Sequence, residues 1–123
     1  SRIYVICLYI IQGYAKHFKN IYSLRIENKK INGLYDTGNN TNYLNVPIVY
    51  LSQSLYSELF LYVTDIEIST VNNISKIAIY QGPKIVIDKK SLNVYYAFCN
   101  IDTKEYQAIL PNNIFDSSHN ITK

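Results

Sequence analysis

The chain has no methionine and no tryptophan, and only three prolines, four glycines and two cysteines among its 123 residues. Cys7 and Cys99 each sit inside an apolar run, and no Cys-x-x-Cys occurs. A disulfide framework is thereby excluded, and both thiols are expected to be buried. His17 and His119 stand apart from each other and from the cysteines, which excludes a zinc-ligand set. No metal and no cofactor is expected. No stretch approaches the roughly 18 consecutive apolar residues of a membrane helix. The longest, Ile3 to Ile11, is about half that and reads as a strand buried on both faces, or as the tail of a membrane segment. No signal peptide is visible, and a chain that begins at Ser1 without methionine is expected to be a piece of a longer protein or to carry a cloning scar. There is no basic stripe with interleaved aromatics. Lys29-Lys30 and Lys89-Lys90 lie beside Asn or Asp and read as solvated turns, so nucleic acid is not an expected partner.

What the chain has in quantity is tyrosine, thirteen of them, with isoleucine and valine, in a composition that is 48% hydrophobic at a net charge of +3. This favours strands over helices and one globular core. Ile21 to Glu27 alternates, Asn28-Lys29-Lys30 turns, and Ile31 to Tyr35 returns antiparallel. An Asn-rich loop, residues 39–45, leads to a short strand, Val46 to Tyr50, which Pro47 places at an edge or at a strand entry. Residues 52–60 are expected to be helical, with Ser54 as N-cap and Leu55, Leu59 and Tyr62 near one face. Ile66 to Val71 and Ile74 to Tyr80 form a hairpin about Asn72-Asn73. Short strands follow at residues 84–87, 92–100 and 106–110, and Pro111 opens a short helix. Residues 117–123 read as a flexible tail. Many short strands with frequent turns indicate an all-β barrel or sandwich.

One stretch carries chemistry. A mostly apolar strand, residues 31–35, delivers Asp36 into the turn Thr37-Gly38-Asn39. Gly38 permits a sharp bend and Thr37 can hold it through a local hydrogen bond. This presents one carboxylate at the end of a rigid strand. A second strand-to-turn unit, Ala108-Ile109-Leu110 followed by Pro111-Asn112-Asn113-Ile114-Phe115, stands far away in sequence. A lone Asp-Thr-Gly is equally ordinary turn chemistry, so its surroundings decide its meaning.

Those surroundings resemble the retroviral-type aspartic proteases, in which the catalytic Asp-Thr-Gly turn is braced by a later apolar strand. The resemblance is closest to the soluble protease domain of the sporulation sigma-E factor processing peptidase. The matching pieces run in order from about Ile21 to Phe115. They are Gly33-Leu34-Tyr35-Asp36-Thr37-Gly38-Asn39, Val46-Pro47-Ile48-Val49, Ile68-Ser69-Thr70-Val71, Pro83-Lys84-Ile85-Val86-Ile87 and residues 106–115. The chain departs from the family in lacking an Asp-Pro after Asn39 and a glycine between Val71 and Ile77.

The resemblance implies an all-β, retropepsin-like acid-protease barrel of short antiparallel strands with one or two short helices, spanning residues 21–116. Residues 1–20 would connect to a membrane part outside this chain, with the domain facing the mother-cell cytoplasm. Asp36 would be the catalytic acid, one per subunit, in a homodimer. Thr37, Gly38 and Asn39 would form the active-site loop. Val71, Asn72, Asn73 and Ile74 would form a flap, and Ile109, Leu110, Pro111 and Asn112 the bracing segment. The substrate would be the pro-sequence of the sigma factor precursor, with a second protein as the activating signal. The competing expectation is a β-barrel without catalysis that serves as a dimerisation or protein-binding module, with Asp36 a turn residue only.

Overall fold

A computed structural model describes residues 20–70 and 72–116. The expected strand at Ile3 to Ile11, the remainder of the N-terminal connection, Val71 and the expected tail at 117–123 lie outside the described residues.

The fold is all-β: ten strands form an open mixed sheet. They are β1 (Ile21–Ile26), β2 (Lys29–Tyr35), β3 (Asn42–Tyr43), β4 (Val46–Ser52), β5 (Leu61–Thr70), β6 (Asn73–Gln81), β7 (Ile85–Ile87), β8 (Lys90–Leu92), β9 (Tyr95–Cys99) and β10 (Ala108–Leu110). The sheet order is β5-β6-β9-β4-β10-β2-β1-β7-β8, with β3 paired to β4 off this path. β10 runs parallel to β2, and β9 runs parallel to β4. The two central parallel pairings are antiparallel to each other, joined where Ala108 faces Leu51 and Ile109 faces Tyr50.

Alternation along the central strands places two hydrophobic clusters on opposite faces. Val49, Leu51, Ala108 and Leu110 join Leu24, Phe60, Ile85 and Tyr96 on one. Ile48, Tyr50 and Ile109 join Leu34, Ile79, Cys99 and Tyr106 on the other. β4 and β10 are therefore buried on both faces, the environment usual for strands in the middle of a mixed sheet. Cys99 is buried, as its apolar setting predicts.

Gly33 is where the sheet packs most closely. A Cβ there would stand 2.8 Å from Leu24 Cδ2 and 3.1 Å from Leu110 Cγ, so any side chain would push Leu24 or Leu110 aside where β1, β2 and β10 meet.

The structure corrects several expectations. Residues 52–60 are not helical. A three-residue 3-10 turn, Gln53–Leu55, is followed by a loop, and β5 begins at Leu61. The cap is Ser52, not Ser54. Ser52 Oγ accepts from Ser54 N, and Ser57 Oγ accepts from Leu59 N at 3.2 Å. These serine hydroxyls satisfy backbone donors locally and compete with helical pairing. Tyr62 is drawn into the β5 ladder opposite Tyr80 rather than onto a helix face.

The segment after Pro111 is likewise no helix. It makes two successive turns, with Ile114 N on Pro111 O and Asp116 N on Asn113 O, both at 3.1 Å. The hairpin tips also shift. Ile26 pairs with Lys29, so Glu27-Asn28 turn and both lysines belong to β2. Thr70 pairs with Asn73, so Asn73 belongs to β6 rather than to the turn. The Asn-rich loop contains a hairpin of its own, turning at Leu44 (φ 53°) and Asn45 (φ 66°), which pairs Asn42 with Pro47. The long strand expected at 92–100 is two strands, β8 and β9.

Candidate functional site

The apolar run of β2 ends at Tyr35, and the parallel neighbour β10 ends level with it, Leu110 facing Tyr35. Parallel strands are joined by slanted bonds that carry past the last paired residue. Asp36 N donates to Leu110 O at 3.0 Å, so the acid is held by the end of β10. The two chains then leave the sheet together. Asn112 N donates to Asn39 O at 2.7 Å, and Asn112 Nδ2 donates to Thr37 O at 3.2 Å. Tyr35 Oη donates to Asn112 O at 3.0 Å. Tyr35 thus packs against the core and also holds the second loop. Its ring meets Tyr22 and Phe115 at centroid distances of 6.0 and 5.3 Å, an aromatic cluster beside the loop.

Within the first loop, Gly38 N donates to Asp36 Oδ1 at 3.0 Å and Asn39 N donates to Asp36 O at 3.1 Å. The turn is tied by the acid's own side chain and carbonyl. No glycine among the described residues has a positive φ, so Gly38 is not there for a left-handed backbone, contrary to its reading as the residue that permits the bend. What it contributes is an N–H on the carboxylate. The Thr37 side chain is exposed; its carbonyl, not its hydroxyl, makes the link to the bracing loop.

Asp36 is only 6% exposed. Burial raises its carboxyl pKa above the ordinary carboxylate value, while the Gly38 N–H pulls in the opposite direction. The result is an acid whose protonated form is favoured more than in water.

Asn39 is also buried, at 8% exposure. Its Oδ1 accepts from Thr41 N at 3.1 Å and from Thr41 Oγ1 at 2.6 Å. Thr41 Oγ1 in turn accepts from Tyr50 Oη at 3.1 Å, tying the loop to the core of β4. Thr41 and Tyr50 were missed from sequence. The Asn-x-Thr spacing of residues 39–41 is the signal that could have found the first. Nothing local marks Tyr50.

The structure therefore brings Asp36, Thr37, Gly38 and Asn39 together with Ile109, Leu110, Pro111 and Asn112. The flap candidate belongs to the β5–β6 hairpin at one end of the strand order. Asn72, Asn73 and Ile74 form the exposed tip of the long β5–β6 hairpin, whose base joins the sheet where Tyr80 faces Tyr96. Ile66 and Ile68 of β5 rest partly buried on the same cluster as Leu34 and Ile109. A recess of about 420 Å³, lined by Ile26, Ile31, Leu51, Leu55 and Phe60, opens at the start of β2 and so at the opposite end of that strand from Asp36. Among the described residues, no three His, Cys, Asp or Glu side chains gather to hold a metal ion.

No protein-family model matches the chain, and no curated protein matches it in sequence.

Proposed function

We propose that this chain is half of an aspartic endopeptidase, with a retropepsin-like half-barrel and one catalytic acid, Asp36. The observation that carries this reading is the placement of Asp36. It is a buried carboxyl at the end of a central strand, bonded to the end of the parallel strand β10, with an N–H on its Oδ1. Peptide hydrolysis by carboxylates needs two of them. One takes a proton from the attacking water, and the other, protonated, polarises the scissile carbonyl. Two carboxyls about 3 Å apart cannot both ionise, so they share a proton and titrate as a pair.

The other acids of the chain, Glu27, Glu58, Asp65, Glu67, Asp88, Asp102, Glu105 and Asp116, are all exposed, unlike Asp36. The partner acid is therefore Asp36 of a second copy, across a two-fold axis. The peptide would lie extended in the cleft between protomers, with the β5–β6 hairpin closing over it to exclude water. By resemblance, the substrate is the pro-sequence of a sporulation sigma factor precursor, a second protein supplies the activating signal, and a membrane part preceding this domain holds it at the mother-cell membrane, facing the cytoplasm.

The test is cleavage of that precursor by the chain carrying Asp36→Asn, which keeps shape and removes the titratable proton. Loss of processing with the fold intact is the expected result; unchanged cleavage would sink the reading. A dimer in which the two Asp36 carboxyls stand more than about 8 Å apart would do the same, since no proton could then be shared.

One observation favours the second reading. Asp36 Oδ1 already accepts from Gly38 N, which is all that a turn-forming aspartate in a binding module would need. In that case Asp36→Asn would leave partner binding unchanged.

A further inference from the structure

The two braced loops each bury one polar side-chain atom that has no hydrogen-bond partner: Asn39 Nδ2, a donor, and Asn113 Oδ1, an acceptor. Buried polar atoms are nearly always paired, and each exception calls for an explanation. The orientation of Asn39 is not open to reversal. Its Oδ1 accepts from the Thr41 N–H, and a carboxamide turned over would aim its own N–H donors at that donor. Nδ2 therefore faces away from Thr41. The loop carrying Asn113 is joined to the Asn39 loop one residue earlier, by the 2.7 Å bond from Asn112 N to Asn39 O. One unmet donor and one unmet acceptor thus lie on two loops that are already bonded to each other. One water molecule held between the loops would meet both needs, accepting from Nδ2 and donating to Oδ1.

We propose that Asn39 and Asn113 are positioning residues of the Asp36 site, which hold one internal water between the active-site loop and the bracing loop. The water extends a chain that starts in the core: Tyr50 Oη to Thr41 Oγ1, Thr41 to Asn39 Oδ1, then Asn39 Nδ2 through the water to Asn113. Gly38 lies between Asp36 and Asn39, so fixing Asn39 fixes the N–H that Gly38 places on Asp36 Oδ1. The catalytic consequence rests on the protease reading above; the water-held pair does not.

The test is a double-mutant cycle on the whole chain, using Asn39→Leu, Asn113→Leu and the double variant, with the alanine series as a second cycle should a leucine variant fail to fold. The first readout is amide exchange at Gly38. Each single substitution is expected to speed it about tenfold, and the double to be no faster than the faster single, because both remove one shared element. Multiplied effects, about a hundredfold in the double, would overturn the proposal. The second readout is the titration of the Asp36 carboxyl. Both single variants should raise its midpoint, since a loosened Gly38 N–H no longer favours the carboxylate. An Ile77→Val control, destabilised elsewhere in the core, should leave the midpoint unmoved. No change in the Asn39 and Asn113 variants, or an equal change in the control, would overturn the positioning role. A high-resolution crystal structure with both carboxamides bonded to protein groups and no water between them would overturn it too. If the cycle couples but the precursor is never cleaved, the protease reading falls and the pair stands. If cleavage occurs without coupling, the reverse holds.

Discussion

The backbone N–H of Asp36 donates to the carbonyl oxygen of Leu110 over 3.0 Å. Seventy-four positions of chain separate the two residues, yet this bond and its neighbours make the acid part of the sheet rather than of a loop. Around it, Asn112 reaches back to Thr37 and Asn39, and Tyr35 reaches forward to Asn112. The site is a junction of two strand ends.

Asn112→Ala removes the Nδ2 bond to Thr37 O and keeps the backbone bond to Asn39 O. The expected cost is about 1 kcal/mol of stability, measured by urea denaturation with an unchanged m-value. In the protease reading, turnover falls about tenfold or more while KM changes little.

Gly33→Ala places a Cβ 2.8 Å from Leu24 Cδ2 and 3.1 Å from Leu110 Cγ. Overpacking at this level is expected to cost about 1–3 kcal/mol, read as a fall in Tm. Because the added Cβ crowds Leu24 of β1 and Leu110 of β10, amide exchange in the β1–β2 and β2–β10 pairings, Asp36 included, should quicken before that of β8.

Tyr50→Phe deletes the hydroxyl that reaches Thr41 Oγ1 and leaves the buried ring in place. A loss of about 1 kcal/mol is expected, with faster amide exchange at Thr41. Tyr35→Phe should cost less, since its hydroxyl is in an exposed setting.

The raised pKa of Asp36 has a definite sign for stability. The folded state holds its proton to a higher pH than the unfolded chain, whose value is the ordinary 3.8. Asp36 therefore contributes its full stability below 3.8 and loses it as pH rises through the folded value. Asp36→Asn should abolish this slope. The variant's Tm should exceed that of the wild type at pH 7, with the difference closing toward pH 3; an equal difference at both pH values would contradict burial as the cause. In the protease reading, the two Asp36 carboxyls of a dimer would titrate together, and activity should follow a bell-shaped pH profile.

Much of this was legible in the residues themselves. Alternation at 21–26 and 66–70, apolar runs at 46–51 and 108–110, and turn chemistry between them are local properties, and they sufficed for an all-β chain whose lone Asp-Thr-Gly sits at a strand end. The pattern also singled out residues 108–115 as a second strand-to-turn unit. It misled at 52–60, where a helical spacing of Leu55, Leu59 and Tyr62 was outweighed by serine hydroxyls bonding the backbone and by the β5 ladder claiming Tyr62. Hairpin tips moved by a residue because cross-strand register, not turn composition, decides where pairing ends.

The sequence by itself determined which residues could form strands and which single acid a strand would deliver, since both depend on side chains near one another in the chain. Only the tertiary structure decided that β10 lies parallel beside β2. Such pairing joins residues more than seventy positions apart, and no local preference encodes it. From that one adjacency follow the crowding of Gly33 by Leu110, the hold of Leu110 on Asp36, the burial that raises its pKa, and the placement of Asn39 and Asn113 on joined loops.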